Sequence, residues 1–423
     1  MVYHEPQGNI QFLKIGYNLK KYLHLKIKIS ILLNQRFYSL DVFRGATVCL
    51  MILVNNPGNW EHIYPPLEHA SWHGLTPTDL VFPFFLFAVG NAMALTMPKL
   101  EAAGASTFWK KIIKRTILIF LIGLFLNWWP FVRWQSDSLN FKHWVDPVSP
   151  ENGIRILGVL QRIAICYFLA SVILYYFKVK QSLYITLTLL VVYWILCVIG
   201  NPADPYSLSG WFGTDVDKKI LGVAHMYKGE GVAFDPEGIM STIPSTVEVI
   251  FGYLIGNYIQ RKGKNFEMVS SLFVAGVVML IAGFCWDMVF PINKKIWTSS
   301  FTIYTSGLAT ITIATMIYVI ELKNIKGWLT RFFDVFGKNA LFVFALSAFL
   351  PRLLGLIRIP LNSHSNGEDK IVYTNPWNWL YQKVLVHIPG DPRLGSLVYA
   401  LCVITFMWAI CWWLDRRKIY IKV

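Results

Sequence analysis

The run Glu68–Gly90, EHASWHGLTPTDLVFPFFLFAVG, opens as a polar, aromatic loop and ends inside an apolar helix. Two histidines, His69 and His73, stand four residues apart in the loop, and one carboxylate, Asp79, sits near the start of the helix. A titratable loop that feeds directly into a membrane helix is where a membrane enzyme can meet a water-soluble substrate. Whether the apolar half spans a bilayer therefore decides the fold, and composition answers it. Of 423 residues, 55% are hydrophobic, 16% aromatic and 15% charged, with a mean hydropathy of +0.46. Soluble domains carry roughly 25% charged residues, so the chain reads as a polytopic membrane protein.

Working outward, a spanning helix needs about 20 mostly apolar residues. Ten segments qualify, roughly 39–56, 76–97, 114–132, 156–177, 182–200, 240–259, 268–290, 299–320, 333–354 and 394–414. The expected fold class is an all-α integral membrane protein of about ten transmembrane helices. Basic residues cluster in alternate loops: Lys99 to Arg115, Lys178 and Lys180, Arg261 to Lys264, Lys323 to Arg331, and the tail from Arg416. The remaining loops are longer but poorer in Lys and Arg, which predicts both termini on the cytoplasmic side. His62, His69, His73, His143, His225, His364 and His387 then fall on the outer side.

Residues 1–36 are basic and lack the continuous apolar core of a signal peptide, so they read as a cytoplasmic segment ahead of a transmembrane domain over 37–423. The formal net charge of +15 does not imply nucleic acid, because the cations lie in short clusters between apolar runs. The six cysteines all fall in apolar runs and form neither a CxxC pattern nor a disulfide framework. Seventeen Trp and twenty Tyr suit aromatic belts at the membrane surfaces.

Several groups can carry chemistry. A histidine such as His69 can deprotonate an attacking amine or hydroxyl, although a lone loop histidine is more often merely solvated. His69 and His73 have the spacing of two metal ligands, yet no third ligand is evident and no metal is expected. Asn55 and Asn56 close the first helix, where capping is the ordinary use and holding an oxyanion the functional one. Asp79 and Arg162 are ionisable residues within apolar runs, which marks them as site candidates facing a shared cavity or as a structural ion pair. Arg44 and Asp41 lie at the cytoplasmic end of the first helix, where Arg44 can bind a phosphate or snorkel. Lys338 reads as a cation at a cytoplasmic helix start. Asp235 and Glu237, in FDPEG, can cap the next helix or hold a polar ligand. The absence of a P-loop or a GxSxG elbow argues against ATP-driven transport and serine hydrolysis.

Six blocks occur in order: SLDVFRG followed by MILVNN, HASWHGLTPTDLVFP, ILGVLQRIAICY, FDPEGIMSTIPS, INKKIWTSSFTIYTSG and GKNALFVF. Together they resemble the transmembrane acetyltransferases typified by heparan-α-glucosaminide N-acetyltransferase, from about Ser39 to the last helix. The resemblance implies a bacterial inner-membrane member without the lumenal domain. It implies acetyl-CoA as co-substrate, taken from the cytoplasm, and an amino sugar or glycan as acceptor on the far side. It assigns the catalytic histidine to His69 and an assisting asparagine to Asn55, with Asp79 beside them. Candidate CoA contacts are Arg44, Arg115, Arg162 and Lys338; candidate acceptor contacts are Trp72, His73, Asp235 and Glu237. The bilayer and a homodimeric partner complete the expected associations, with no nucleic acid. A sugar transporter without chemistry and a polysaccharide O-acetyltransferase remain as rival readings.

Overall fold

The computed structural model describes residues 37–135, 137–365 and 368–421. The expected basic segment over 1–36 lies outside them. Helices occupy all ten apolar segments. The long ones are α1 (Tyr38–Asn55), α2 (Val81–Ala102), α3 (Ala105–Trp128), α4 (Val159–Tyr176) and α5 (Val179–Gly200). A short α6 (Gly213–Leu221) precedes α7 (Thr242–Lys262), α8 (Phe266–Asp287) and α9 (Ser299–Ile317). The chain ends with α10 (Trp328–Lys338), α11 (Ala340–Leu354), α12 (Pro376–Lys383) and α13 (Pro392–Arg416). Among the described residues seven helices are long and apolar enough to cross a membrane by themselves, and α10 with α11 makes an eighth if the bent pair is one span. α3 and α7 are of spanning length but do not qualify alone: α3 contains the charged run from Lys110 to Arg115, and the apolar residues of α7 are interspersed with Thr, Ser, Tyr and Asn. Those cations were expected in a loop; the helix instead begins nine residues before the apolar run, immediately after Gly104 at φ 89°.

Two further departures have clear causes. The segment 333–354 is not one helix: α10 and α11 meet at 78°. Asn339 breaks the helix, and its amide donates to Ile419 O (3.2 Å) while its carbonyl accepts from Ile421 N (2.9 Å), pinning the tail at the kink. Lys338 consequently ends α10 rather than starting a helix. The long loops are also not purely helical or irregular. They contain two antiparallel hairpins, β1 (Val132–Gln135) with β2 (Ser138–Phe141), and β3 (Ile359–Ser365) with β4 (Glu368–Thr374). The fold is thus all-α in its spans with small strand pairs between them.

Packing follows the apolar patterning. α5 and α8 expose Val191, Ile195, Val274, Val278 and Ile281, side chains that suit lipid rather than water. The inner faces of α1, α2, α4, α7 and α9 form the buried core, with Ile52, Leu86, Ala164, Val249 and Phe301 essentially inaccessible. Where α1 crosses α10 the backbones nearly touch. A Cβ on Gly45 would lie 1.8 Å from Phe333 O, and one on Gly337 would lie 2.1 Å from Asp41 O. Only glycine permits that approach, which membrane helices use in place of a hydrophobic drive. A separate cluster (Tyr193, Trp211, Phe234, Phe290, Ile296) anchors the α5–α7 connection over the end of the bundle that carries His69.

Candidate active site

α1 delivers the site at its C-terminal end. Asn56 donates its amide to Ile52 O (2.8 Å), closing the helix through its side chain at φ −133° rather than by a left-handed cap. Asn55, one residue earlier, lines a cavity together with His69. The chain then returns through a loop to a 3-10 turn, Pro77–Leu80, that leads into α2. Thr76 and Asp79 cap this turn reciprocally.

Asp79 is almost completely buried, yet fully hydrogen-bonded. Its Oδ2 accepts from Ala70 N (3.1 Å), Thr76 N (3.0 Å) and Thr76 Oγ1 (3.1 Å). Its Oδ1 faces two groups, His69 Nδ1 at 2.7 Å and Lys294 Nζ at 3.4 Å. Lys294 Nζ also lies 3.1 Å from His69 Nδ1. An ionised carboxylate only accepts, so the neutral imidazole places its proton on Nδ1 and keeps the lone pair on Nε2. This tautomer is assigned from the hydrogen-bond network. His69 is half-exposed, and its free edge is the basic one.

His69 stands where two cavities meet. One, of about 250 Å3, has polar and aromatic walls including Trp72, Arg155, Tyr227, Glu237 and Trp297. The other, of about 160 Å3, runs between helices and is mainly apolar, with Val54, Phe85, Ile163 and Phe344 beside Asn55. Both include His69, Phe82, Val159, Glu237 and Lys294. Burial lowers the Lys294 ammonium below its ordinary range, against the opposing pull of Asp79 and Glu237.

The wall opposite His69 is an ion cluster. Arg155 donates through Nε to Asp235 Oδ2 (3.0 Å) and through Nη2 to Asp235 Oδ1 (2.6 Å) and Glu237 Oε2. Its guanidinium lies 4.8 Å from the Tyr227 ring centre. Burial works against the Arg155 charge, but Glu237 and Asp235 outweigh it and hold the guanidinium above its usual value. Asp235 and Glu237 therefore cap nothing; they fasten the loop before α7 to the loop before α4.

Arg162 does not pair with Asp79. It is buried on α4, donates to Gly238 O (3.1 Å) and to Ser241 Oγ, and sits 5.3 Å from the Trp297 ring centre. It braces the same FDPEG loop from behind. The cation of Asp79 is Lys294, 215 positions away in sequence, and two adjacent lysines in INKKIW within a Lys-poor loop were its only local signal. Arg155, Tyr227 and Glu230 likewise carried no motif. Of the expected acceptor contacts, Trp72 and Glu237 line the cavity with His69, Asp235 is buried behind it, and His73 faces a different cavity beside Asp287 and Tyr304. Burial lowers the His73 pKa, opposed by Asp287.

At the other end of α1, about 16 Å along the helix from Asn55 to Arg44, a cavity of about 350 Å3 is lined by Arg44, Lys338, Asn91 and Tyr420. Arg44 pairs with Asp41 (2.5 Å), and Lys338 with Asp334 (2.7 Å) and Asp415 (3.1 Å). Arg115 lies instead over the Tyr167 ring, and neither it nor Arg162 lines this cavity. Among the described residues no group of three His, Cys, Asp or Glu side chains is arranged around a metal position.

Asp217 on α6 gives the region a pH dependence. It accepts from Ile239 N (2.9 Å), while its other oxygen packs against Gly238 with no hydrogen-bond partner. Burial, reinforced by Asp235, pushes its pKa up to about 7. A raised carboxyl binds its proton more tightly folded than unfolded, so stability falls as pH rises from about 4 to about 7 and is level above. Asp217→Asn is expected to remove about 2–4 kcal/mol of that decline. Thermal unfolding at pH 5 and pH 8 checks it: the wild type should lose more stability than the variant across this interval.

A domain of unknown function (DUF5009) matches residues 36–199. Heparan-alpha-glucosaminide N-acetyltransferase of Mus musculus is 26% identical over 369 residues, covering 73% of this chain and 53% of the relative. The Homo sapiens protein of the same name is 27% identical over 377 residues, covering 74% and 52%. This homology supports the transmembrane acetyltransferase family indicated by the motifs. The chain spans about half the length of these curated relatives.

Proposed function

We propose that this homologue of heparan-alpha-glucosaminide N-acetyltransferase is a transmembrane acyltransferase that moves an acetyl group from acetyl-CoA to the amine of an amino sugar. The observation that carries the reading is the basic Nε2 edge of His69 at the junction of a polar and an apolar cavity, with Nδ1 held by a buried carboxylate. The apolar cavity suits the thioester arm, and the polar one, with Trp72 and Glu237, suits a sugar. The amine nitrogen attacks the thioester carbonyl, and His69 Nε2 takes the proton as the C–N bond forms. The C–S bond then breaks, and the thiolate leaves with the proton returned by His69. Asn55 donates to the oxygen that becomes negative. A thioester supplies its own driving force, so the reaction needs no ATP.

The topology proposed with it has ten spans and both termini on the cytoplasmic side of a bacterial inner membrane. The alternating basic loops support this orientation. The cavity with Arg44 and Lys338 then faces the cytoplasm and is the proposed entry for the polyanionic nucleotide of CoA. Both cations already hold carboxylates, so the phosphates would share or displace Asp41, Asp334 and Asp415.

The test is thiol release by the purified protein in detergent. With acetyl-CoA, adding glucosamine should start release, and the product should resist hydroxylamine as an amide does. An ester product would replace the N-acyl reading with an O-acyl one. Saturable glucosamine binding without any thiol release would make the protein a transporter.

A further inference from the structure

We infer that Lys294 is a positioning residue for the proposed transfer: its ammonium anchors the Asp79 carboxylate and favours the neutral, Nε2-basic form of His69. The inference rests on the acyl-transfer reading and adds a residue that no motif assigned. Three observations support it. Lys294 Nζ lies 3.4 Å from Asp79 Oδ1 and 3.1 Å from His69 Nδ1, so one cation touches both members of the pair. Nδ1 already carries the proton given to Asp79, which makes the ammonium an electrostatic neighbour of the imidazole rather than its hydrogen-bond donor.

The turn that presents Lys294 is also firmly built. Lys294 O accepts from Trp297 N (3.1 Å), Asn293 N donates to Thr298 Oγ1 (3.0 Å), and Asn293 Oδ1 accepts from Ile296 N (3.1 Å). Trp297 is held at φ 52°, a left-handed conformation that a bulky residue adopts only when its surroundings impose it. Ile292 O accepts from Gly74 N (2.7 Å), which ties this turn to the His69 loop.

The charges facing His69 are few. Asp79 stands on the turn before α2, and Lys294 on the α8–α9 loop. Across the cavity are Glu237, before α7, already engaged by Arg155, and Glu230, engaged by Lys295 (2.7 Å). α1 contributes the uncharged Asn55. Arg155 is shared by Asp235 and Glu237, so that cluster keeps an excess negative charge that, like Asp79, favours the imidazolium, and Lys294 is the cation in contact with the imidazole that opposes it. Removing Lys294 leaves the carboxylate unopposed, and His69 should stay protonated, and useless as a base, to higher pH.

The experiment compares wild type, Lys294→Met and Lys294→Arg in two ways. The first is the pH profile of kcat/KM for thiol release; the second is carbethoxylation of the peptide bearing His69, followed by mass spectrometry across pH. In Lys294→Met both acid limbs should move up by about one pH unit, and in Lys294→Arg both should stay with the wild type. Superimposable curves for Lys294→Met and wild type would overturn the inference. So would an arginine variant that shifts as far as the methionine one. The carbethoxylation arm reads His69 without an acceptor, so a failure of the amino-sugar reading is told apart from a failure of this one. If Lys294→Met does not fold, Lys294→Gln removes the same charge and is read identically.

Discussion

His69→Ala is expected to lower glucosamine-dependent thiol release by about 10²–10⁴-fold, the contribution of a positioned general base. The loss should fall on kcat, because His69 removes a proton as the bond forms and adds little to holding either substrate. The fold should survive. His69 is half-exposed, and Asp79 would keep its bonds from Ala70 N and Thr76 and its contact with Lys294. Thermal unfolding beside the rate measurement separates a lost base from a lost structure. A variant that keeps wild-type kcat would move the proton acceptor away from His69.

Asp79→Asn should be nearly as damaging, and for a different reason. If the new amide turns its NH2 toward His69, it donates to Nδ1 and drives the imidazole proton onto Nε2, where the base is needed. If it turns its oxygen toward His69, the NH2 meets the backbone N–H groups of Ala70 and Thr76, and those two hydrogen bonds are lost. In either orientation Lys294 loses its anion. We expect kcat to fall about 10²–10⁴-fold, with about 1–3 kcal/mol of lost stability from the unsatisfied groups. The split matters: His69→Ala should lose rate alone, whereas Asp79→Asn should lose rate and melting temperature together.

Much of this arrangement could be read from the chain because its signals are local. Apolar runs located every long helix, and the stretch Glu68–Gly90 held both His69 and Asp79, although their hydrogen bond is visible only in the structure. The errors came where partners are distant. Asp79 finds its cation in Lys294 rather than Arg162, and Arg155 meets Asp235 80 positions later. Nothing in the composition of either segment signals such a pairing. Lys338 ends a helix because the break at Asn339 depends on bonds from that side chain to the distant C-terminal tail, which the segment 333–354 does not reveal. The apolar run marks only the later part of α3, because the helix also carries the charged stretch from Lys110 to Arg115 ahead of it.

In the proposed reaction the acetyl group crosses the membrane while the acceptor stays outside. Reconstituted vesicles test it, with acetyl-CoA supplied only on the side of Arg44 and Lys338, and labelled glucosamine only on the side of His69. The expected result is N-acetylglucosamine in the glucosamine compartment and free CoA in the other, with no labelled sugar crossing. Labelled glucosamine appearing unmodified on the acetyl-CoA side, with no thiol released, would contradict it and leave a transporter.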